Sequence, residues 1–141
     1  MGICGLLRLQ NTIDQRHEIA KKIDKALKAS SVVKSANLEL PDSKSSLFFH
    51  TVVVDIDKLK VSKVQFAKAI TAEGITINTD FRDITCEYQW IPKYVRDYKK
   101  TPNSINFRNR TFNILFHEQF GDAEVEDIIQ SILKVEKSYA K

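Results

Sequence analysis

Ser46-Leu47-Phe48-Phe49-His50-Thr51-Val52-Val53-Val54-Asp55-Ile56 is the most β-prone run of the chain. Rich in Phe and Val and almost continuously hydrophobic, it reads as a central strand covered on both faces, and such a strand needs partners on either side. Upstream, Val32 to Leu40 alternates, with Val32, Ala36, Leu38 and Leu40 on one face, and it stops at the turn signal Pro41-Asp42-Ser43. Downstream, Ile75, Ile77, Thr79 and Phe81 alternate as a third strand, and Thr111 to Phe116 reads as a fourth.

Three helical patterns surround these strands. Leu6, Leu9, Ile13, Ala20, Ile23 and Leu27 recur at three- and four-residue steps, with Lys21, Lys22, Asp24, Lys25 and Lys28 on the other side. The second helix opens with Ser62-Lys63-Val64-Gln65, an S-x-x-Q capping box, turns Phe66, Ala69 and Ile70 inward, and can end at Gly74 in a left-handed conformation. The third starts at Gly121-Asp122, has Glu124, Glu126 and Asp127 in its first turns and Lys134, Lys137 and Lys141 at its end, and buries Val125, Ile128, Ile129, Ile132 and Leu133. From Asp83 to Arg110 the pattern dissolves into polar and aromatic residues, punctuated by Pro92 and Pro102, and reads as a long functional loop. The expected order is α-β-β-α-β-loop-β-α: an α+β fold with a mixed or mainly antiparallel sheet of about four strands and helices mainly on one face. Residues 1–30 are expected as a long helix and residues 31–141 as the α+β body.

Composition sets the outer limits. The chain has 141 residues, of which 43% are hydrophobic and 28% charged, so it belongs with globular proteins and not with disordered or fibrous ones. Folding at this size should bury roughly two-thirds of the surface that the unfolded chain exposes, enough for a core without metal or disulfide staples. The excess of 22 basic over 18 acidic residues is small and scattered, which does not argue for nucleic acid. No apolar run approaches a membrane span, and no export signal is visible, so the expectation is a cytoplasmic protein without a membrane partner. Cys4 and Cys86, far apart and outside any CxxC, are expected as free thiols.

Most signatures of chemistry are missing. The four glycines form neither GxGxxG nor a P-loop. His117-Glu118-Gln119-Phe120-Gly121 starts like HExxH, but Gly121 stands where the second histidine must share the helical face, and His17, His50 and His117 have no ligand spacing, so no metal site is expected. What remains is the exit of the third strand, Asn78-Thr79-Asp80-Phe81-Arg82, together with Tyr88-Gln89-Trp90 in the loop and His117-Glu118 after the fourth strand. Strand exits followed by polar and aromatic loops are where ligands are commonly held. The competing readings are a solvated turn, a Trp90 that anchors the loop on the core, and a His50 that is a satisfied core residue. The first turns of the first helix, Ile3 to Leu9, are apolar nearly all round. Ile3, Leu6, Leu7 and Leu9 are therefore expected to pack against material outside this domain.

In order and spacing these pieces resemble the C-terminal small domain of the DegT/DnrJ/StrS group, pyridoxal-phosphate-dependent sugar aminotransferases of fold type I. Gly5-Leu6-Leu7-Arg8-Leu9 and Asp14-Gln15-Arg16-His17-Glu18-Ile19-Ala20 resemble the helix that leaves the large domain, and Phe49-His50-Thr51-Val52-Val53-Val54 the first long strand of the small domain. Phe66 to Gly74-Ile75 resembles the helix that ends in L-x-x-x-G-I, and Phe112-Asn113-Ile114-Leu115-Phe116-His117-Glu118 followed by Asp122 to Val135 resembles the closing strand and helix.

The resemblance implies an enzyme that moves an amino group from glutamate to a keto-sugar nucleotide, working as a dimer. Its Schiff-base lysine, the aspartate partner of the pyridine nitrogen and the phosphate cup would all lie in a large domain outside this chain. It implies no catalytic residue and no bound cofactor in this chain alone, with pyridoxal phosphate in the full-length enzyme. The small domain would close the substrate cleft with the segment after Gly74-Ile75, and Asn78, Asp80, Phe81, Arg82, His117 and Glu118 are the candidate substrate contacts. Asp80-Phe81 stands where the family often shows a His-Tyr pair, and Thr85 where a further His is expected. Two alternatives remain: a free-standing module that binds a small ligand, and an interaction domain that self-associates through the first helix.

Overall fold

A computed structural model describes residues 2–36, 42–79 and 84–141. The elements run α1 (Gly2–Leu27), β1 (Val33–Ser35), β2 (His50–Val54), α2 (Lys63–Ala72), β3 (Ile77–Asn78), α3 (Ile91–Tyr94), α4 (Pro102–Arg110), β4 (Thr111–Ile114) and α5 (Asp122–Tyr139). The four strands form one sheet in the order β1-β2-β4-β3, with every pairing antiparallel. The fold is therefore α+β, and the Phe- and Val-rich run supplies a central strand.

The alternation of β2 and β4 separates the two faces of the sheet. His50, Val52 and Val54, with Phe112 and Ile114, point toward the helical layer, where they meet Ile23 and Leu27 of α1, Phe66 and Ile70 of α2, and Ile128 and Ile132 of α5. All of these are essentially closed to water. Each buried Val, Leu, Ile or Phe among them contributes about 1.5–3 kcal/mol relative to exposure. Phe66 and Phe112 meet across this layer with ring centroids 6.5 Å apart.

Local chemistry sets the helix ends. Ser62 Oγ accepts from Gln65 N at 3.3 Å, and Gln65 Oε1 accepts from Ser62 N at 3.1 Å, the reciprocal box expected from the sequence. Gly74, at φ +97°, turns the chain out of α2 in a conformation that disfavours a side chain. At the start of α5, Gly121 N donates to Glu124 Oε2 at 2.8 Å. The end of α5 is tied back by Lys60 N to Tyr139 O at 2.9 Å and by Lys141 N to Lys58 O at 2.9 Å.

Several expectations need correction. Every strand is shorter than its sequence pattern; Leu38 and Leu40 of the first, and Phe81 of the third, lie outside the described residues. Phe48 is exposed, because Leu47 takes a left-handed backbone (φ +45°) and pairing begins only at His50. The Asp83–Arg110 segment is not a plain loop. It holds a 3-10 turn (Thr85–Glu87), α3 and α4, with Pro92 and Pro102 in the first turns of those two helices, where a missing N–H costs nothing. Of the first-helix stripe, Ala20, Ile23 and Leu27 are buried, as is Ile19, whereas Leu6 and Leu9 are exposed. No helix among the described residues is long and apolar enough to cross a membrane.

Candidate functional site

β3 is entered from the Gly74 turn, and its exit is held by Lys63, whose Nζ donates to the Thr79 carbonyl at 3.1 Å. Lys63 is the buried lysine among the described residues, an unusual position that positioning of this exit explains. Asn78 is exposed at the sheet edge, in register with Asn113. Asp80, Phe81 and Arg82 lie outside the described residues.

His117 and Glu118 sit at the other end of the sheet. Ile77 pairs with Ile114 and Asn78 with Asn113, so the chain after Asn78 heads toward Thr111 while the chain after Ile114 departs in the opposite direction. The structure therefore does not bring Asn78 together with His117 and Glu118. Glu118 is an ion-pair partner: its Oε2 lies 3.1 Å from Arg16 Nε and 3.0 Å from Arg16 Nη2, and Arg16 Nη1 donates to the Leu47 carbonyl at 3.2 Å. The Glu118 backbone amide, and after it Arg16, holds the Glu118 carboxyl below its usual 4.5. His117 Nδ1 accepts from Gln119 N at 3.2 Å, and its ring stands edge-on to Phe120 with centroids 4.4 Å apart.

The aromatic loop corrects a second expectation. Trp90 does not anchor the segment on the core: it is 53% exposed, stacked on Tyr88 (centroids 5.8 Å, 12°) and edge-on to Tyr94 (6.3 Å, 65°). The segment is held instead at Cys86, whose carbonyl accepts from Tyr98 Oη and whose Sγ lies 3.1 Å from Thr101 Oγ1. Hydrogen bonding from Thr101 lowers the Cys86 thiol from its usual value. Cys4 and Cys86 are both free.

Inside the core, His50 Nε2 lies 3.2 Å from Asp24 Oδ1 on α1. Burial pushes the Asp24 carboxyl up, but hydrogen bonds from His50 and Ser35, with the charges of His50 and Lys28, outweigh it and leave the group below 3.8. This is a structural pair between helix and strand, as expected of a satisfied core histidine. Sequence reasoning missed Lys63, Arg16 and the Thr51–Asn113 pair, in which Thr51 Oγ1 donates to Asn113 Oδ1 at 2.8 Å. The available signal for that pair was a polar residue inside each of two otherwise apolar strand patterns.

At the start of α1, Ile3 is 78% exposed and Leu7 82%, with Leu6 and Leu9 also open. A run of apolar side chains this size without cover is uncommon on a stable surface.

The model of the DegT/DnrJ/EryC1/StrS aminotransferase family matches residues 1–133. The chain belongs to this family. No curated protein matches it. Among solved structures, the aminotransferase TlmJ from Streptoalloteichus hindustanus superposes with a TM-score of 0.79 at 20% identity, over 97% of this chain and 35% of that one. The putative sugar aminotransferase Spr1654 from Streptococcus pneumoniae, in its PMP form, gives 0.79 at 18% identity, over 97% and 34%. Helicobacter pylori PseC, an aminotransferase involved in the biosynthesis of pseudoaminic acid, gives 0.79 at 17%, over 97% and 36%. At these identities the superpositions establish the shared fold, and the chain spans about a third of each neighbour's length.

Proposed function

We propose that this chain is the C-terminal small domain of a pyridoxal-phosphate-dependent sugar-nucleotide aminotransferase, one that closes a side of the substrate cleft and is inert by itself. In this reading residues 1–30 carry the helix that joins it to a large domain and residues 31–141 form the small domain. The observation that carries the reading is the pairing of a family match over residues 1–133 with an uncovered apolar start of α1. Such a surface is what a domain shows where a neighbour has been removed.

Pyridoxal phosphate supplies the electron sink for amino transfer when bound, and the protein positions it. In this reading the cofactor lysine lies in the large domain; the buried lysine among the described residues here, Lys63 at the start of α2, is engaged by the Thr79 carbonyl. The role left to this chain is positioning. Lys63 fixes the direction in which the segment after Asn78 leaves the sheet, and Arg16 fixes the turn that carries His117 and Glu118. The two candidate groups lie at opposite ends of the sheet, and in this reading the segment after Gly74-Ile75 faces the sugar side of the cleft.

Reductive trapping and gene context test this together. Incubation with pyridoxal phosphate and borohydride should give no stoichiometric adduct by mass spectrometry, and the upstream DNA should encode, in frame, a large domain with the cofactor lysine. A stoichiometric adduct at a single lysine, or no such reading frame, overturns the proposal. The exposed Tyr88–Trp90 stack favours a second reading, a free-standing ligand module; saturable quenching of Trp90 by a small molecule in the isolated chain would select it.

A further inference from the structure

The second face of the sheet is not packed solid. Between Thr51 of β2, Asn113 of β4 and the Ser104–Phe107 side of α4 lies a cavity of about 640 Å³, within the range of small-molecule sites. Most of its wall is apolar, formed by Phe49, Ile84 and Phe107.

One polar group in this wall is left without a use. Asn113 is 3% exposed, and its Oδ1 accepts from Thr51 at 2.8 Å, but its buried Nδ2 has no hydrogen-bond partner among the described residues. A buried donor without an acceptor is a rare and costly feature, and an apolar residue of similar size at this strand position would avoid it. Nδ2 is closed to water, so an acceptor within the cavity meets it only when the amide turns about its soft terminal torsion and gives up the Thr51 bond. Charge selects against an anion, since the Arg108 guanidinium at the edge is met by the Glu87 carboxylate, with Nη2 3.2 Å from Oε1 and Nη1 on Oε2.

We propose that this cavity is a binding site for a neutral aromatic carbonyl compound, with its ring against Phe49 and Phe107 and its carbonyl oxygen accepting from Asn113 Nδ2. The site does not rest on the cleft-closing role, because it lies under α4 and is built wholly from this chain.

Acetophenone is the probe, and ethylbenzene is the matched ring without an acceptor. Titrated into the 15N-labelled 141-residue chain, acetophenone should give saturable shifts confined to the amides of Thr51, Phe107 and Thr111 and the side-chain amide of Asn113. Ethylbenzene should bind about tenfold more weakly, the equivalent of 1.4 kcal/mol. Ser104→Trp, at an exposed position on α4, should fill the cavity and abolish the shifts while keeping the rest of the spectrum. Shifts elsewhere, no saturation with acetophenone, equal binding of ethylbenzene, or undiminished binding in a folded Ser104→Trp would each overturn the proposal. If that variant does not fold, the comparison of the two probes on the unaltered chain decides.

Discussion

Replacing Glu136 by leucine would leave a set of donors facing nothing. Glu136 lies on α5, is 8% exposed, and accepts from Ser31 N at 2.8 Å, Ser31 Oγ at 2.9 Å, Val32 N at 3.3 Å and the Ser30 hydroxyl. It thereby closes the turn between α1 and β1. Ser31 is exposed and would turn to water, whereas Ser30 and Val32 are buried and would not. Val32 N keeps a partial partner in Ser30 Oγ at 3.2 Å. Two buried donors at about 1–3 kcal/mol each give roughly 2–6 kcal/mol, toward the lower end because Val32 N keeps Ser30 Oγ. Relief from burying a charge, and the added apolar contact of leucine, return part of it, so the net loss should be about 2 kcal/mol. For a domain of this size that is a fall in Tm of about 8 °C. Glu136→Gln keeps an acceptor oxygen and should lose about 1 kcal/mol or less. Urea denaturation followed by circular dichroism at neutral pH measures both. A leucine variant as stable as the parent, or a glutamine variant as damaged as the leucine one, would refute the account, the first because the donors did not need Glu136 and the second because charge and not hydrogen bonding was the contribution.

Glu118 has a lowered pKa in the folded chain, so its contribution is present above the unfolded value near 4.5 and is lost as pH falls below that through the folded value. In urea titrations from pH 7 to pH 3, the gap between the parent and Arg16→Met should narrow below pH 4.5, and a gap independent of pH would count against the pair. Ser62→Ala removes one half of the capping box and should cost about 1 kcal/mol in the same assay, with no loss meaning that the box contributes nothing. Gly74→Ala meets no atom within 4 Å but keeps φ +97°, so it should cost about 1 kcal/mol from backbone conformation alone. If α1 self-associates, Leu6→Lys with Leu9→Lys should convert the oligomer to a monomer in sedimentation and leave Tm within about 1 °C, because both side chains are exposed; an unchanged sedimentation profile would refute association through this surface.

What could be read from the sequence was whatever leaves a repeated mark in it. The stripe of α5, from Val125 to Ile132, faces the core because a helix with apolar residues at three- and four-residue steps has one dry side. The Ser62–Gln65 box was legible for a different reason: its chemistry is local and needs no tertiary partner. By contrast α4 has no buried residue, so Pro102 to Arg110 offers no stripe to detect, and it is helical through a favourable start and a seat on the second sheet face. β3 is two residues long, too short for an alternating pattern to mark its ends. Trp90 failed for a further reason, since residue type sets an average burial, and here two tyrosines supply the neighbours that the core would have given. Of the candidate site residues, the sequence located the strand exit, but it carried no mark that Asn78 and His117 leave β3 and β4 at opposite ends. That separation comes from the antiparallel register, a property of two distant segments together.

The two halves of α1 obey different physics. From Ile19 onward the helix is held by the core, through Ala20, Ile23 and Leu27. Before Arg16 it projects about 20 Å at 1.5 Å per residue, and no buried side chain holds it. Gly5 weakens that stretch by about 1 kcal/mol relative to alanine, and a free helix of this length is marginal in water. In the proposed reading, a surface that covers Ile3, Leu6 and Leu7 would stabilise its helical state. Arg16, bonded to both Glu118 and the Leu47 carbonyl, sits at the joint between the halves. In the proposed reading, a body that covers the projecting half would lie next to the side chain that ties α1 to the turn after β4 and to the entry of β2.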